Sequence, residues 1–527
     1  MYFPQQIPEK YALLFLKRIS NYYKYSGGVG MLTKGAIGNL INRYRAVLKK
    51  CTLINVFGSL AVASMLVMST TSPAAADVDE EYLNAVKEIT TWADGAAVDV
   101  TGGKDVHQLY FGGSLAENGK DASVENTSLT LSSGKLEGEL NAGGTAIGEG
   151  SVSNVKNASI TISGGTLTYM TDHPDEEYFA PVRGGGVSMN GGTANVDNAV
   201  INITNGAKLN SEYTQVWAGG VNESGAGEAH TGNAVINITN ADLSENHVYG
   251  GSDMATVGTA TINIDNSSVK SIFAGGDDDV VDQATINVSG NSKVYKIITG
   301  GSTNSTVKNT TMNVYGGTVG DNSTGIAIGT NEGGGSPDDL LINISGGTVK
   351  GDIMATAGQS AAVTINGDAP VIDGKIQADA GKSSLNLVNR STFDGSIFSG
   401  FNSLNVTGTT SITGGLNDGN VGSALSLGGS GETVADVSLT TGTLTVENGT
   451  LSAENIDLSD NGNLVVNGGT LKTSSGQAFT GSLGADGLST DPSAVQEGLS
   501  LESGRLALTD AYYNLAYVTN AEDLLKD

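Results

Sequence analysis

Chemistry in this 527-residue chain would have to come from acidic side chains, because other reactive types are scarce: one cysteine and four histidines in all. Two acidic clusters stand out, Asp277-Asp278-Asp279 with Asp282, and His173-Pro-Asp-Glu-Glu177. Their oxygens suit calcium or another hard cation. Neither has EF-hand spacing or the glycine-aspartate nonapeptide of calcium-binding β-rolls, and a solvated charged loop accounts for each more simply. His107, His173, His230 and His247 show no pairwise metal spacing, and Cys51 precedes the body of the chain, which leaves that body no disulfide or thiolate site. No catalytic, metal or cofactor-binding residue is assigned.

Enzymatic readings meet the same difficulty. Glycosidase chemistry needs two facing carboxylates, and among the 54 acidic residues that follow position 76 no pair can be singled out. Lyase chemistry would add a Lys or Arg beside clustered carboxylates, yet Arg183, Arg390 and Arg505 lie far apart and none adjoins a repeated acidic pair. The G-x-S-x-G nucleophile elbow is absent. Trp217, Tyr249 and Phe273 recur at equivalent places and would form either a sugar-stacking stripe or an internal column.

What must position these residues is a repeat. The phrase Val200-Ile-Asn-Ile-Thr returns as Val235-Ile-Asn-Ile-Thr, Thr261-Ile-Asn-Ile, Thr311-Met-Asn-Val and Leu341-Ile-Asn-Ile-Ser-Gly-Gly-Thr-Val349, with an earlier form at Ser159-Ile-Thr-Ile-Ser-Gly-Gly-Thr-Leu167. Steps between the central positions are 35, 26, 24, 26 and 30 from Asn202 to Asn343, then 21, 22 and 19 to Asn405. About twenty residues suit one solenoid coil, and longer steps suit a coil with a loop insertion. Apolar residues flank a polar one, so Ile201 and Ile203 should point inward and Asn202 outward. A second phrase, Val216-Trp-Ala-Gly-Gly220, Val248-Tyr-Gly-Gly251 or Ile272-Phe-Ala-Gly-Gly276, supplies another strand and a glycine corner. The outward asparagines would either stack into a ladder or simply be tolerated on a solvated face. The expected fold is all-β, a right-handed parallel β-helix, with repeats over 121–410 and a less regular continuation over 411–507. Residues 77–120 are read as an N-terminal cap, with helical spacing over Asp79–Ile89, and 508–527 as a tail or truncation point.

Charge divides the chain. Residues 1–76 hold nine Lys or Arg and one acid, whereas the rest holds 18 basic residues against 54 acidic ones. Such a surface repels phosphate backbones, which argues against nucleic acid as a partner. The leader has a basic segment (Arg43, Arg45, Lys49, Lys50), an apolar run Leu53–Met68 and a Ser69–Ala76 segment ending in Ala74-Ala75-Ala76. This is the pattern of a secretory signal peptide with cleavage after Ala76, which would leave no stable membrane span. The start is Met1 or Met31; with Met31, residues 1–30 would be a mis-assigned beginning.

A signal peptide followed by Ile-Asn-Ile-Ser-Gly-Gly-Thr-Val coils resembles the passenger region of autotransporters, surface proteins of Gram-negative bacteria. The resemblance covers roughly residues 41–480. It implies export to the cell surface or medium and adhesion to a host surface or an extracellular glycan or protein. No alternating ten-residue strands of a translocating barrel follow, so the barrel would act in trans or belong to a missing C-terminal part; without it the chain would stay in the periplasm. The sequence therefore leads to a non-catalytic exported solenoid without a cofactor. The alternatives are a secreted polysaccharide lyase or hydrolase and a passenger fragment with no independent role.

Overall fold

A computed structural model describes the chain between residues 96 and 508, omitting 102–104, 108–109, 169–180, 211–213, 224, 322–324, 331–334, 380, 460–461, 474–477, 483–498 and 503–504. The leader, the Asp79–Ile89 segment, the His173–Glu177 cluster and the tail beyond 508 lie outside the described residues.

The architecture is a parallel β-helix. Its longest strands, among them Val152–Ile162, Thr193–Thr204, Glu228–Thr239, Thr256–Asp265 and Val280–Ser289, pair in parallel with the equivalent strand of the next coil. Register is set by the repeated phrase: Asn202, Asn237, Asn263, Asn287, Asn313 and Asn343 are successive partners, and Thr364, Asn386 and Asn405 follow. Every step read from the sequence is thus one coil. A second sheet carries the second phrase, with Val182, Val216, Val248, Ile272 and Ile297 in register.

Alternation decides what is buried. Ile201, Ile236, Ile262, Ile286, Met312 and Ile342 form one inward column, each at most 1% exposed, and face Leu243, Val269 and Val294 from the other sheet. A fully buried aliphatic side chain contributes roughly 1.5–3 kcal/mol, so each coil is held by its own small set of residues and by its neighbours.

The Gly-Gly corners divide their work. Gly165 and Gly347 have φ of 73° and 76°, a conformation L side chains rarely adopt. Their partners Gly164 and Gly346 are needed for proximity: a Cβ there would lie 2.1 and 2.3 Å from the carbonyl oxygens of Ser132 and Tyr315 on the preceding coil. Asn240 and Asn266 take the left-handed role at two corners that have no glycine pair.

Two expectations change. The longer coils carry more than an inserted loop, since part of their length builds a third track, Leu115–Glu117, Thr145–Ile147, Val187–Met189 and Val221–Asn222, extended by single bridges at Asp253, Asp277 and Thr303. Coils also begin earlier than the cap reading implies, since Ala96–Asp99 already pairs in parallel with Thr127–Thr130. Beyond 411 parallel pairing continues through Ala424–Gly429, Thr443–Val446 and Asn463–Thr473, with one antiparallel partner, Ala478–Ser482.

Candidate functional site

Two features run from coil to coil at one residue per step: an outward amide face on the longest sheet, and a filled corner where the second and third tracks meet.

On the face, the amide Nδ2 of each asparagine donates to Oδ1 of its predecessor. The distance is 2.9 Å from Asn237 to Asn202, then 2.8 Å at each of Asn263, Asn287 and Asn313, and 2.9 Å at Asn343. Asn386 continues the line to the hydroxyl of Thr364, and Asn405 to Asn386 at 2.9 Å. A parallel line joins Asn157 to Asn126, Asn198 to Asn157 and Asn233 to Asn198 at 2.9–3.1 Å, and Thr259 donates to Asn233. The ladder, one of two readings of the outward asparagines, is what forms. Its second line was legible too, because Asn157-Ala158, Asn198-Ala199 and Asn233-Ala234 stand just before the phrase in each coil. A shallow depression of about 220 Å³ lies along this line, bounded by Asn126, Asn157 and Asn198 on one side and Ser128, Ser159 and Val200 on the other.

The corner has an apolar stack and a polar stack. Trp217 lies on Tyr249 with ring centroids 4.0 Å apart and planes 7° apart, and Tyr249 on Phe273 at 4.6 Å and 13°. With Ile298 they form a buried cluster in which no ring is more than 6% exposed. The internal column, not a sugar-stacking stripe, is therefore realised. His247 lies against the stack, 5.9 Å from the Phe273 ring.

One coil before Trp217, the equivalent position is Arg183. Its guanidinium donates to Glu139 at 3.0 Å and lies 3.8 Å from Glu223, so carboxylates of two other coils share one cation. Arg183 and Glu139 are buried, at 8% and 6% exposure. Sequence distance concealed this cluster, which corrects the expectation that no arginine adjoins paired acids. The signal was available: Val182-Arg183-Gly-Gly aligns with Val216-Trp217-Ala-Gly. Burial pushes the Asp253 carboxyl up to about 6, offset in part by Arg183 and reinforced by Glu223, Asp277 and Asp278. Burial likewise raises Glu223, against the pull of Arg183 and with the push of Glu139, and raises Asp277.

The Asp277–Asp282 run does not converge on one site. Asp277 sits in the third-track bridge, and Asp278 is exposed and accepts from Asn304 at 2.9 Å. Asp279 is buried and accepts from the Ser252 amide at 2.8 Å and from the Ser305 hydroxyl, while Asp282 is exposed and paired with Lys308 at 2.5 Å. The run is thus neither a cation cage nor a uniformly solvated loop. Of the histidines, His230 is exposed between Glu228 and Thr256. Arg390 donates to the carbonyls of Gly367 and Pro370 and lies over the Phe393 ring. Among the described residues no group of three His, Cys, Asp or Glu has metal-holding geometry, and no helix is long and apolar enough to cross a membrane.

Chemically the corner offers acids of raised affinity for protons, which is how general acids are prepared. It offers little room, since the aromatic stack and the Arg183 network fill it. The face is open and repetitive. No family model, curated protein or solved structure matches this chain.

Proposed function

We propose that this chain is an exported, non-catalytic β-solenoid of the autotransporter-passenger kind, which presents its strand faces for adhesion to a host surface or extracellular matrix. The observation that carries the reading is the unbroken amide ladder. From Asn202 to Asn343 one solvent-facing side chain is repeated and hydrogen-bonded to its neighbour in every coil, which makes a stiff display surface. The cysteine-free, acidic body and the basic–apolar–small leader point the same way.

Fractionation of producing cells, with mass spectrometry of the mature N-terminus, tests it. Recovery at the surface or in the medium with Asp77 first, and adhesion lost on deletion of the gene, is the expected result. A full-length chain held in the cytoplasm would sink the proposal, and periplasmic retention would favour a passenger fragment that needs a barrel.

The corner acids support a second reading, a secreted polysaccharide-acting enzyme with Asp253 or Glu223 as acid. Depolymerisation of a polysaccharide by the purified protein, abolished in Asp253→Asn or Glu223→Gln, would establish it in place of the first.

A further inference from the structure

Two adjacent columns on the outward face of the longest sheet are free of charge over most of the solenoid's length. One passes from Ser128 through Val200, Thr261, Thr311 and Ala362 to Ser426, and the other from Thr130 through Asn202, Asn287 and Thr364 to Asn405. Neither column contains a charged residue, although the chain carries 55 acids and 27 bases. Soluble surfaces usually place a charge at roughly one position in three or four. Charges stand directly beside the two columns at Asp265, Asp339 and Lys382 and at the end next to Thr130 at Asp99, and further out Lys156 pairs with Glu125 and Lys308 with Asp282. At about 4.8 Å per coil the neutral stripe is roughly 50 Å long.

Its hydrogen-bonding capacity is only partly used. An amide has two N–H donors and an oxygen with two lone pairs, and the ladder consumes one of each per asparagine. The remainder, together with hydroxyls of Thr261, Thr285 and Thr311, recurs at the coil spacing along a straight line. Small apolar patches at Val200, Val235 and Leu341 interrupt the hydroxyl column, and Tyr315, 58% exposed, stands at the stripe's edge beyond Asn313.

Resting on the adhesin reading above, we propose that this stripe docks a neutral, linear polysaccharide lying along the solenoid axis. A ligand that matches it must be uncharged, must repeat, and must offer both hydroxyls and apolar faces. Folded protein surfaces do not repeat in this way, and anionic polymers meet a chain of net charge −28. A second copy would bring the same negative charge with it. Weak contacts repeated over many coils add through multivalency, so no deep pocket is required.

The test is affinity electrophoresis of the purified protein in hydroxyethylcellulose and laminarin, with pull-down on microcrystalline cellulose and chitin and heparin as the anionic control. The double variant Thr261→Lys and Thr285→Lys places charge mid-stripe, and Tyr315→Ala removes only an exposed ring. At least one neutral polymer should bind, the lysine pair should weaken it about tenfold or more, and Tyr315→Ala about threefold. Circular dichroism confirms that each variant is folded, and Tyr315→Ala keeps the test informative if the lysine pair unfolds. No binding to any neutral polymer, preference for heparin, or binding unmoved by both variants overturns the proposal. So does self-association abolished by the lysines, which would make the stripe a contact between copies. The assay uses purified protein, so its failure leaves export and adhesion standing, while mislocalisation in cells would remove the adhesin reading without altering polymer binding in vitro.

Discussion

The amide face and the filled corner are built by the same device, one side chain per coil stacked on its equivalent, yet they come out as opposites. On the face the stacked residue is half-buried and identical in successive coils, Asn237, Asn263, Asn287 and Asn313. In the corner the residue changes at every step, from Asn141 to Arg183, Trp217, Tyr249, Phe273 and Ile298, and each is nearly excluded from solvent. The difference teaches that stacking alone does not dictate identity. Where water can share the hydrogen bonds, a repeated amide is self-sufficient. Where it cannot, the layers from Arg183 to Phe273 each have a partner suited to them, a ring for a ring or carboxylates for a guanidinium, whereas the buried side-chain amide of Asn141 makes no hydrogen bond among the described residues.

The corner should therefore break first. Arg183→Met leaves Glu139 buried without its cation, a loss of about 3–5 kcal/mol in denaturant unfolding. Because Glu223 shares the same cation, the triple variant Arg183→Met with Glu139→Leu and Glu223→Gln should recover most of that loss, and failure to recover would mean that Arg183 acts through packing. Trp217→Ala opens a void beneath Tyr249 and should cost about 3–5 kcal/mol, whereas Trp217→Phe, which preserves the stack, should cost far less.

Acidity sharpens the contrast. The folded-state value of Asp253, about 6, lies above its ordinary carboxylate value of 3.8, so the folded protein holds this proton more tightly than the unfolded chain does. Stability from this group is full below the ordinary value, falls as pH rises between 3.8 and about 6, and stays low above that. Glu223 and Asp277 are shifted in the same direction. Acidification from pH 7 to about 5 should stabilise the protein by about 1 kcal/mol from Asp253, the full contribution of about 3 kcal/mol being reached only below its ordinary value of 3.8. Asp253→Asn should flatten that profile, and thermal melts across this range would expose an unchanged slope.

Most of the solenoid was legible because its causes are local. Alternation fixed the inward residues, Gly164-Gly165 fixed a corner, and the steps between asparagines fixed the coils. The corner was not legible, because Glu139, Arg183 and Glu223 come from coils separated by 44 and 40 residues and meet only once the register is known. The third track escaped for the same reason: Leu115–Glu117 and Thr145–Ile147 are short runs that acquire meaning only from each other. The aromatic residues were found but their side was undecided, since Trp217 sits between an inward Val216 and a glycine corner, and only the adjoining third track shows that outward from one sheet is still inside the protein.

The smallest effect belongs to the ladder. Asn263→Ala removes one donor and one acceptor, leaving Oδ1 of Asn237 and Nδ2 of Asn287 without each other's line. Both are half-buried, so water replaces part of what is lost, and unfolding should shift by about 1 kcal/mol. Asn263→Asp should cost more, because a carboxylate can still accept from Asn287 but cannot donate to Asn237, whose oxygen would then face a like partial charge. If instead Asn263→Ala proved as damaging as Trp217→Ala, the face would owe its identity to stability, as the corner does. A small loss would show that the coil stands without its amide, and that the repetition of asparagine answers to something outside the fold.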